Sequence, residues 1–189
     1  IQGYTEIAEE TGEPEHFDEI RDACDRMDNM ISDVLTLARD GQSVDETESL
    51  ELDSVTEEAW GNVDTADAEL ENEARAIVEG DERRLLRLLE NLFRNSVEHN
   101  DDTVTVRVGV FEDGFYVEDD GEGIPEDKME YVLEQGYTTS DEGTGLGLSI
   151  VKGIVEAHDW ELSVGESDEG GARFEIKNVR HRVREPKKV

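Results

Sequence analysis

Apolar residues recur at alternating three- and four-residue steps between residues 16 and 39. They are Phe17, Ile20, Cys24, Met27, Ile31, Val34 and Ala38. This is the heptad pattern of a coiled-coil or bundle helix. A shorter run with the same steps occupies residues 1–8, and the chain breakers Gly12 and Pro14 stand between the two runs. The pattern therefore predicts a helical hairpin over residues 1–40.

Helical periodicity returns in three later stretches. The strongest predicts a helix from residue 85 to residue 99, with one buried stripe at Leu85, Leu88, Leu89, Leu92 and Ser96. Another follows a glycine-rich run and carries Leu146, Leu148, Ile150, Val151, Ile154 and Val155. A shorter helix is expected over residues 55–63, with Asp53 or Ser54 as its N-cap.

Alternating apolar and polar residues predict the strands. The patterns fall at residues 104–110, 115–117, 160–164 and 172–176, with weaker ones at 50–52, 68–71 and 76–78. We expect residues 104–110 to pair with 115–117 and residues 160–164 to pair with 172–176 across short turns. Residues 68–71 and 76–78 are expected to form a further hairpin. About five strands and three helices predict an α+β fold, a two-layer α/β sandwich with a mixed sheet, at residues 41–178. Residues 179–189 are basic, contain Pro186, and are expected to be unstructured.

The net charge of the chain limits its possible partners and indicates the salt concentration around it. The formal net charge is −33 over 189 residues, and only five residues are lysines. Such a surface argues against nucleic acid or an anionic membrane as a partner. Because the Debye length falls to about 3 Å near 1 M salt, we expect a halophile with molar salt in its cytoplasm. Intrinsic disorder is disfavoured by the periodic grouping of apolar residues.

Cys24 is the single cysteine, which excludes an intramolecular disulfide and a cysteine-based zinc site. No run of about 18 apolar residues predicts a membrane span, and no signal peptide is recognisable. We therefore expect a cytoplasmic location. The chain begins at Ile1 rather than at a methionine, so we expect a longer parent protein that could carry sensors or a membrane anchor upstream.

A carboxylate and two glycines are grouped as Asp119-x-Gly121-x-Gly123. A carboxylate accepts the N–H of a purine amino group, and glycines let the backbone approach the ring. A second glycine run, at residues 143–147, opens a predicted helix, and backbone N–H groups at a helix start bind phosphates. Either run alone is typical of an ordinary turn. Together they favour a nucleotide site.

Asn91 and Asn95 lie four residues apart on the strongest predicted helix. This spacing puts two side-chain amides on one face. Amide oxygens there can hold a hydrated Mg²⁺ that also contacts phosphate oxygens. The alternative is a polar helix face without function, but the order of the three motifs along the chain favours the metal site.

The order of these motifs, with a flexible lid between the glycine runs, resembles the ATP-binding domain of sensor histidine kinases. The likeness covers roughly residues 46–178, and the wider superfamily includes gyrase-type and mismatch-repair ATPases. It implies ATP and Mg²⁺ as cofactors, with Asn95 as the principal Mg²⁺ ligand and Asn91 as its helper. Asp119 would bind the adenine amino group. The adenine pocket would be shaped by Gly121, Gly123 and Ile124, and the phosphate-side loop would comprise Gly143, Gly145, Leu146, Gly147 and Leu148.

The resemblance also implies a phosphoryl transfer. In a histidine kinase a histidine on the helical bundle attacks the γ-phosphate and passes it to an aspartate of a response-regulator receiver domain. Residues 1–40 would belong to the dimerisation and phosphoacceptor domain and join two chains as a homodimer; packing on the chain's own ATP domain is the alternative. No histidine here is followed by an acid and then Asn/Thr-Pro. We therefore expect no catalytic residue in this stretch, an acceptor upstream of Ile1, and ATP binding without autophosphorylation.

Two features depart from the family pattern. Glu98 replaces a lysine that faces the phosphates in many relatives, and Lys128 is the only basic residue from Ile124 to Gly143. Phosphate binding would then depend on Mg²⁺, on backbone N–H groups and on the side chains of Thr138, Thr139, Thr144 and Lys152. We expect a modest ATP affinity that depends strongly on Mg²⁺ and salt.

Two interpretations of the function remain open, an enzyme and a non-catalytic binding module. The leading one is the catalytic half of a sensor histidine kinase. The rival is a degenerate, non-catalytic ATP-binding module of a signalling dimer, and an upstream His-acid-x-x-Asn/Thr-Pro pattern would favour the kinase. A serine kinase of the anti-sigma type shares the ATP motifs, but it lacks a helical hairpin.

Overall fold

The computed structural model describes Phe17, Val44 and residues 47–100, 103–125, 128–129, 131–133 and 146–184. The predicted helical hairpin and its homodimer contact lie outside these ranges, apart from Phe17. So do five residues of the predicted phosphate side, Thr138, Thr139, Gly143, Thr144 and Gly145.

The described part of the chain contains three helices and eight strands. In chain order they are β1 (Glu48–Glu51), α1 (Leu52–Asn62), β2 (Glu69–Asn72), β3 (Ala76–Gly80), α2 (Glu82–Glu98), β4 (Thr105–Phe111), β5 (Gly114–Asp119), α3 (Gly147–Ala157), β6 (Glu161–Glu166), β7 (Ala172–Lys177) and β8 (His181–Val183). None of these helices is both long and apolar enough to cross a bilayer.

The strands form two sheets. Five of them lie in the order β2-β4-β5-β7-β6, where β2 runs parallel to β4 and the other neighbours are antiparallel. The predicted α+β sandwich with a mixed five-stranded sheet and three helices is therefore confirmed. A smaller antiparallel sheet of order β1-β3-β8, which was not predicted, adds to it.

The core lies between the five-stranded sheet and the helices. Val106 and Val108 of β4 and Phe115 and Val117 of β5 are fully buried, since alternate residues of a strand share one face. They join the leucine stripe of α2 and the apolar residues of α3 in a single cluster. This packing fixes α2 and α3 against the sheet, and it is these two helices that position the site.

Local chemistry sets the start of α2. Asp81 is its N-cap, and the Asp81 carboxylate accepts the backbone N–H of Arg84 at 3.0 Å. The stripe predicted for this helix is buried along its whole length, including Ser96, which is 3% exposed. The helix ends where expected, with His99 as its C-cap.

Several predicted details are wrong. Residues 68–71 and 76–78 do not form a hairpin, because β2 pairs with β4 and β3 pairs with β1 and β8. Helix α1 begins at Leu52 after Glu51, without a side-chain cap from Asp53 or Ser54.

The segment from Arg180 to Arg184 is also not unstructured. His181–Val183 forms β8 on the edge of β3, and the Arg184 guanidinium pairs with Glu51 at 3.0 Å and with Asp53 at 3.2 Å. Basic composition predicted disorder here, but the acidic N-terminus of α1 supplies the partners. Residues 185–189 lie outside the described ranges.

Candidate functional site

The side chains of Asn91 and Asn95 meet the first residue of α3. A Cβ atom built on Gly147 would lie 3.3 Å from Oδ1 of Asn91 and 3.3 Å from Oδ1 of Asn95. The Asn91 amide group donates to the carbonyl of Arg87 at 2.7 Å, which leaves its oxygen directed toward Gly147. The predicted convergence of the two amides therefore exists, and the glycine is what allows α3 to approach them.

Asn95 keeps an unpaired polar group at this junction. Its Nδ2 is buried and has no hydrogen-bond partner among the described residues. Buried polar groups are nearly always paired, so an unpaired one calls for a partner of another kind. The two amide oxygens on α2 are suitable ligands for a hydrated hard cation. The unpaired Asn95 amide group can donate to a phosphate oxygen that accompanies the cation.

The start of α3 offers further donors. The first hydrogen bond within this helix runs from the N–H of Ile150 to the carbonyl of Leu146 at 2.9 Å. The N–H groups of residues 147–149 therefore have no carbonyl partner inside the helix, and Leu146 gives no side-chain cap. The positive end of the helix dipole thus lies beside the two asparagines, an arrangement that favours anions.

Asp119 lies at the end of β5 and is 5% exposed. Its Oδ1 accepts the backbone N–H groups of Gly121 at 3.1 Å and Ala172 at 3.0 Å. Its Oδ2 accepts the hydroxyl of Ser96 at 2.9 Å. Since a carboxylate has about four acceptor positions, one position on Oδ2 is left for a ligand.

A clamp from the β6–β7 turn holds the Asp119 backbone. The Ser167 hydroxyl donates to the carbonyl of Asp119 at 2.7 Å and accepts the N–H of Gly171 at 2.9 Å. A Cβ atom on Gly171 would collide with the Asp119 carbonyl. The turn therefore requires glycine at 171, because the backbone passes directly against the carboxylate residue.

The two glycines after Asp119 are also required by their surroundings. Gly121 lies against the side chain of Asn100, whose Oδ1 accepts the N–H of Glu122 at 2.9 Å and whose Nδ2 donates to the carbonyl of Ser96 at 2.7 Å. Gly123 has a φ of 71°, in the left-handed region that favours glycine. Asn100 thus ties the end of α2 to this loop.

The remaining predicted site residues differ in their burial. Ile124 and Leu148 are half-buried and pack against the core. Lys152 is exposed on α3, and the described contacts do not join it to either asparagine.

Sequence reasoning missed Ser96, Asn100 and Ser167. For Ser96 a signal existed, because it is the single polar residue on an otherwise apolar stripe. For Asn100 and Ser167 no local sequence pattern points to the loop that follows Asp119.

Comparison with known proteins gives a consistent result. A family model described as histidine kinase-, DNA gyrase B- and HSP90-like ATPase matches residues 80–182, just over half of the chain. Sporulation kinase A of Bacillus subtilis (strain 168) is 31% identical over 93% of this chain, and sensor histidine kinase CpxA of Escherichia coli (strain K12) is 28% identical over 88%. The chain spans only 31% and 40% of the lengths of these two relatives.

A solved structure also matches. The mycobacterial sensor histidine kinase MprB is 27% identical, with a TM-score of 0.60 over 69% of this chain and 95% of that chain. Its fold agrees with the sandwich described above.

Proposed function

Because the chain belongs to the histidine kinase-, DNA gyrase B- and HSP90-like ATPase family, we propose that it is the ATP-binding kinase core of a two-component sensor histidine kinase. The observation that carries the proposal is the meeting of the Asn91 and Asn95 amide oxygens with Gly147 at the start of α3. ATP binding is the shared property of this ATPase family. The proposal adds Mg²⁺, a phosphoacceptor histidine and a response regulator as partner.

The phosphate end of the site would be built by α2 and α3. Asn95 would be the principal Mg²⁺ ligand and Asn91 its helper, while the backbone N–H groups of Gly147 and Leu148 bind phosphate oxygens. Mg²⁺ supplies positive charge that offsets the triphosphate. This supply matters here, because Glu98 is exposed at the end of α2 where many relatives have a lysine.

The base end would be built by Asp119. Its remaining acceptor position takes the amino group of adenine, and Gly121, Gly123 and Ile124 shape the pocket around the ring. The lid residues Thr138, Thr139, Gly143, Thr144 and Gly145 would close the phosphate side, with Lys152 as an additional cation. The protein's own groups thus bind and orient ATP at both ends.

The transfer itself needs a histidine outside this stretch. A histidine nitrogen would attack the γ-phosphorus, so that the P–N bond forms as the bond to ADP breaks. The phosphoryl group would then pass to an aspartate of a response-regulator receiver domain. Residues 1–40 would hold two chains together as a homodimer, in a cytoplasm rich in salt, whether or not the parent protein is membrane-anchored.

The metal role is tested by titrating a fluorescent ATP analogue into wild-type protein and Asn95→Ala in about 1 M KCl, with Mg²⁺ and with chelator. Asn95→Ala should weaken binding with Mg²⁺ and leave Mg²⁺-free binding unchanged. Asn62→Ala is the matched control. Asn62 is exposed at the end of α1, and its amide donates to Glu90 at 2.8 Å, not to Asn91 or Asn95. This variant should bind as wild type. Equal weakening with and without Mg²⁺ would remove Asn95 from the metal site.

A second candidate is a non-catalytic module in which nucleotide only sets the geometry of a signalling dimer. Glu98 and the single basic residue of the lid favour it. A chain extended upstream, incubated with γ-labelled ATP and Mg²⁺ in molar salt, separates the two. The kinase predicts an acid-labile, alkali-stable label that passes to a receiver domain, whereas bound but untransferred ATP would support the module.

A further inference from the structure

The carboxylate of Asp119 is held from three directions. Two of its donors are backbone N–H groups, from Gly121 and Ala172, and both bind Oδ1. The third is the hydroxyl of Ser96, which lies on α2 directly after Asn95 and binds Oδ2. Ser96 is therefore the one side chain among the described donors, and the one that a substitution can remove.

The arrangement divides the two oxygens. Oδ1 accepts two hydrogen bonds, which is about its full capacity, and Oδ2 accepts one. A ligand group that binds this carboxylate must therefore use Oδ2, in the direction that Ser96 does not occupy. An ionised carboxylate accepts hydrogen bonds and donates none.

We propose that Ser96 is a positioning residue that sets the purine selectivity of the site, by holding Oδ2 of Asp119 for the 6-amino group of adenine. The inference rests on the proposed nucleotide function and adds a residue to it. A purine with a 6-oxo group brings an acceptor to an acceptor, so the fixed carboxylate rejects it.

The Ser96 hydroxyl is important because both it and the Asp119 carboxylate are buried. Ser96 is 3% exposed and Asp119 is 5% exposed, so neither group exchanges freely with solvent. When Ser96 loses its hydroxyl, Oδ2 has a second open acceptor position and no described side chain that fills it. A water molecule that fills it can donate one hydrogen to Oδ2 and the other to a 6-oxo group. Selectivity for the amino group should then fall.

The test compares three triphosphates that differ only at purine position 6: ATP, inosine triphosphate and the triphosphate of purine riboside, which has no substituent there. Each is titrated in molar KCl with Mg²⁺ into wild-type protein and into Ser96→Ala. We expect Ser96→Ala to bind ATP about tenfold more weakly and the other two within about twofold of wild type. The preference for ATP over inosine triphosphate should shrink by about fivefold or more.

Two further variants separate positioning from folding. Ser96→Thr keeps the hydroxyl and should restore the preference, and Ser96→Cys, a weaker donor of similar size, should give an intermediate value. Ser163→Ala is the matched control. Ser163 also donates to a carboxylate, Oε2 of Glu175 at 3.3 Å, but on the other face of the sheet, so its loss should leave all three affinities unchanged.

The outcomes are distinct. Equal weakening of all three triphosphates in Ser96→Ala would mean a structural role alone and would overturn the inference. An unchanged preference in Ser96→Ala would overturn it as well, while leaving the nucleotide site in place. Wild-type protein that binds none of the three would instead overturn the proposed function.

Discussion

Nε2 of His158 accepts the backbone N–H of Asp81 at 3.0 Å. Nδ1 of the same ring lies 2.8 Å from the carbonyl of Ile154. Because a backbone N–H only donates and a carbonyl only accepts, the ring is neutral with its proton on Nδ1. The imidazole thus joins the start of α2 to the end of α3, the two helices whose other ends carry Asn95 and Gly147.

His158→Ala should therefore destabilise the fold by about 1–3 kcal/mol. The Asp81 N–H loses its acceptor, and Trp160 loses a ring stacked at 4.2 Å between centroids. Urea unfolding at constant molar KCl measures the change. His99→Ala, at an exposed position at the end of α2, should stay within about 0.5 kcal/mol of wild type. An equal loss in both variants would contradict the link.

Gly147→Ala should separate nucleotide binding from stability. The added methyl group meets two amide oxygens at 3.3 Å and pushes them apart. We expect binding of the Mg²⁺ form of an ATP analogue to weaken about 10- to 100-fold, the range for displaced groups around a bound metal. The free energy of unfolding should change by less than about 1 kcal/mol, because Gly147 is the first residue of α3 and the helix preference of alanine over glycine applies mainly to helix interiors.

Gly153→Ala is the control for that experiment. It lies in the same helix, and a Cβ built there meets nothing within 4 Å. Because Gly153 lies in the helix interior, Gly153→Ala should gain up to about 1 kcal/mol of stability and keep wild-type nucleotide binding. Weakened binding in both variants would show that the helix as a whole, and not the contact with the asparagines, determines the affinity.

The sequence was most informative where local spacing decides the structure. The stripe from Leu85 to Ser96 has the period of a helix, so α2 and its buried face followed directly. The four-residue spacing of Asn91 and Asn95 placed both amides on one face. What they face, Gly147, could be expected only from the order of the motifs.

Contacts between distant segments were beyond the sequence. Asp119 is held by Ser96, Ser167 and Ala172, which lie 23, 48 and 53 residues away along the chain. The wrong hairpin has the same cause: alternation identifies a strand and its buried face, but it does not identify the neighbouring strand. Only the packed sheet shows that Leu70 pairs with Val106.

The stability of the outer sheet face should depend on pH through Glu175. Burial alone would raise the pKa of Glu175, but hydrogen bonds from Lys177 and Arg173 outweigh it and lower the pKa below its ordinary value of 4.5. A lowered folded-state pKa stabilises the protein above the unfolded value, and this stabilisation is lost as the pH falls through the folded-state value.

Unfolding free energies of wild type and Glu175→Gln should therefore differ most near neutral pH. The difference should close as the pH falls below about 4.5. Glu161→Gln, an exposed acid on β6, is the control and should give a smaller, flatter difference. A Glu175→Gln difference that stays constant down to acid pH would show that the carboxylate contributes through packing and not through its charge.

Three acids pair with Arg107, and Glu71 and Glu118 are the two nearest. Glu71 is 51% exposed and lies 2.8 Å from the guanidinium, while Glu118 is 5% exposed, 3.1 Å from Arg107 and 2.6 Å from Arg173. The hydrogen bonds that Arg107 donates to Glu71 and to Glu118 raise the pKa of Arg107, so it stays charged at any working pH. The buried carboxylate of Glu118 therefore pairs with two partly exposed arginines, whereas Glu71 makes an exposed pair.

Salt should distinguish the two acids. Glu71→Gln should cost about 0–1 kcal/mol in dilute salt and almost nothing near 2 M KCl, because exposed pairs are screened. Glu118→Gln should cost more, about 1–3 kcal/mol, because it removes the buried carboxylate that Arg107 and Arg173 share, while Glu71 and Glu175 still pair with them. Most of that cost should persist at high salt. Urea unfolding across a KCl series measures both. If the Glu118→Gln cost vanished with salt as the Glu71→Gln cost does, the pairing would be ordinary surface electrostatics, and the burial of Glu118 would add nothing to it.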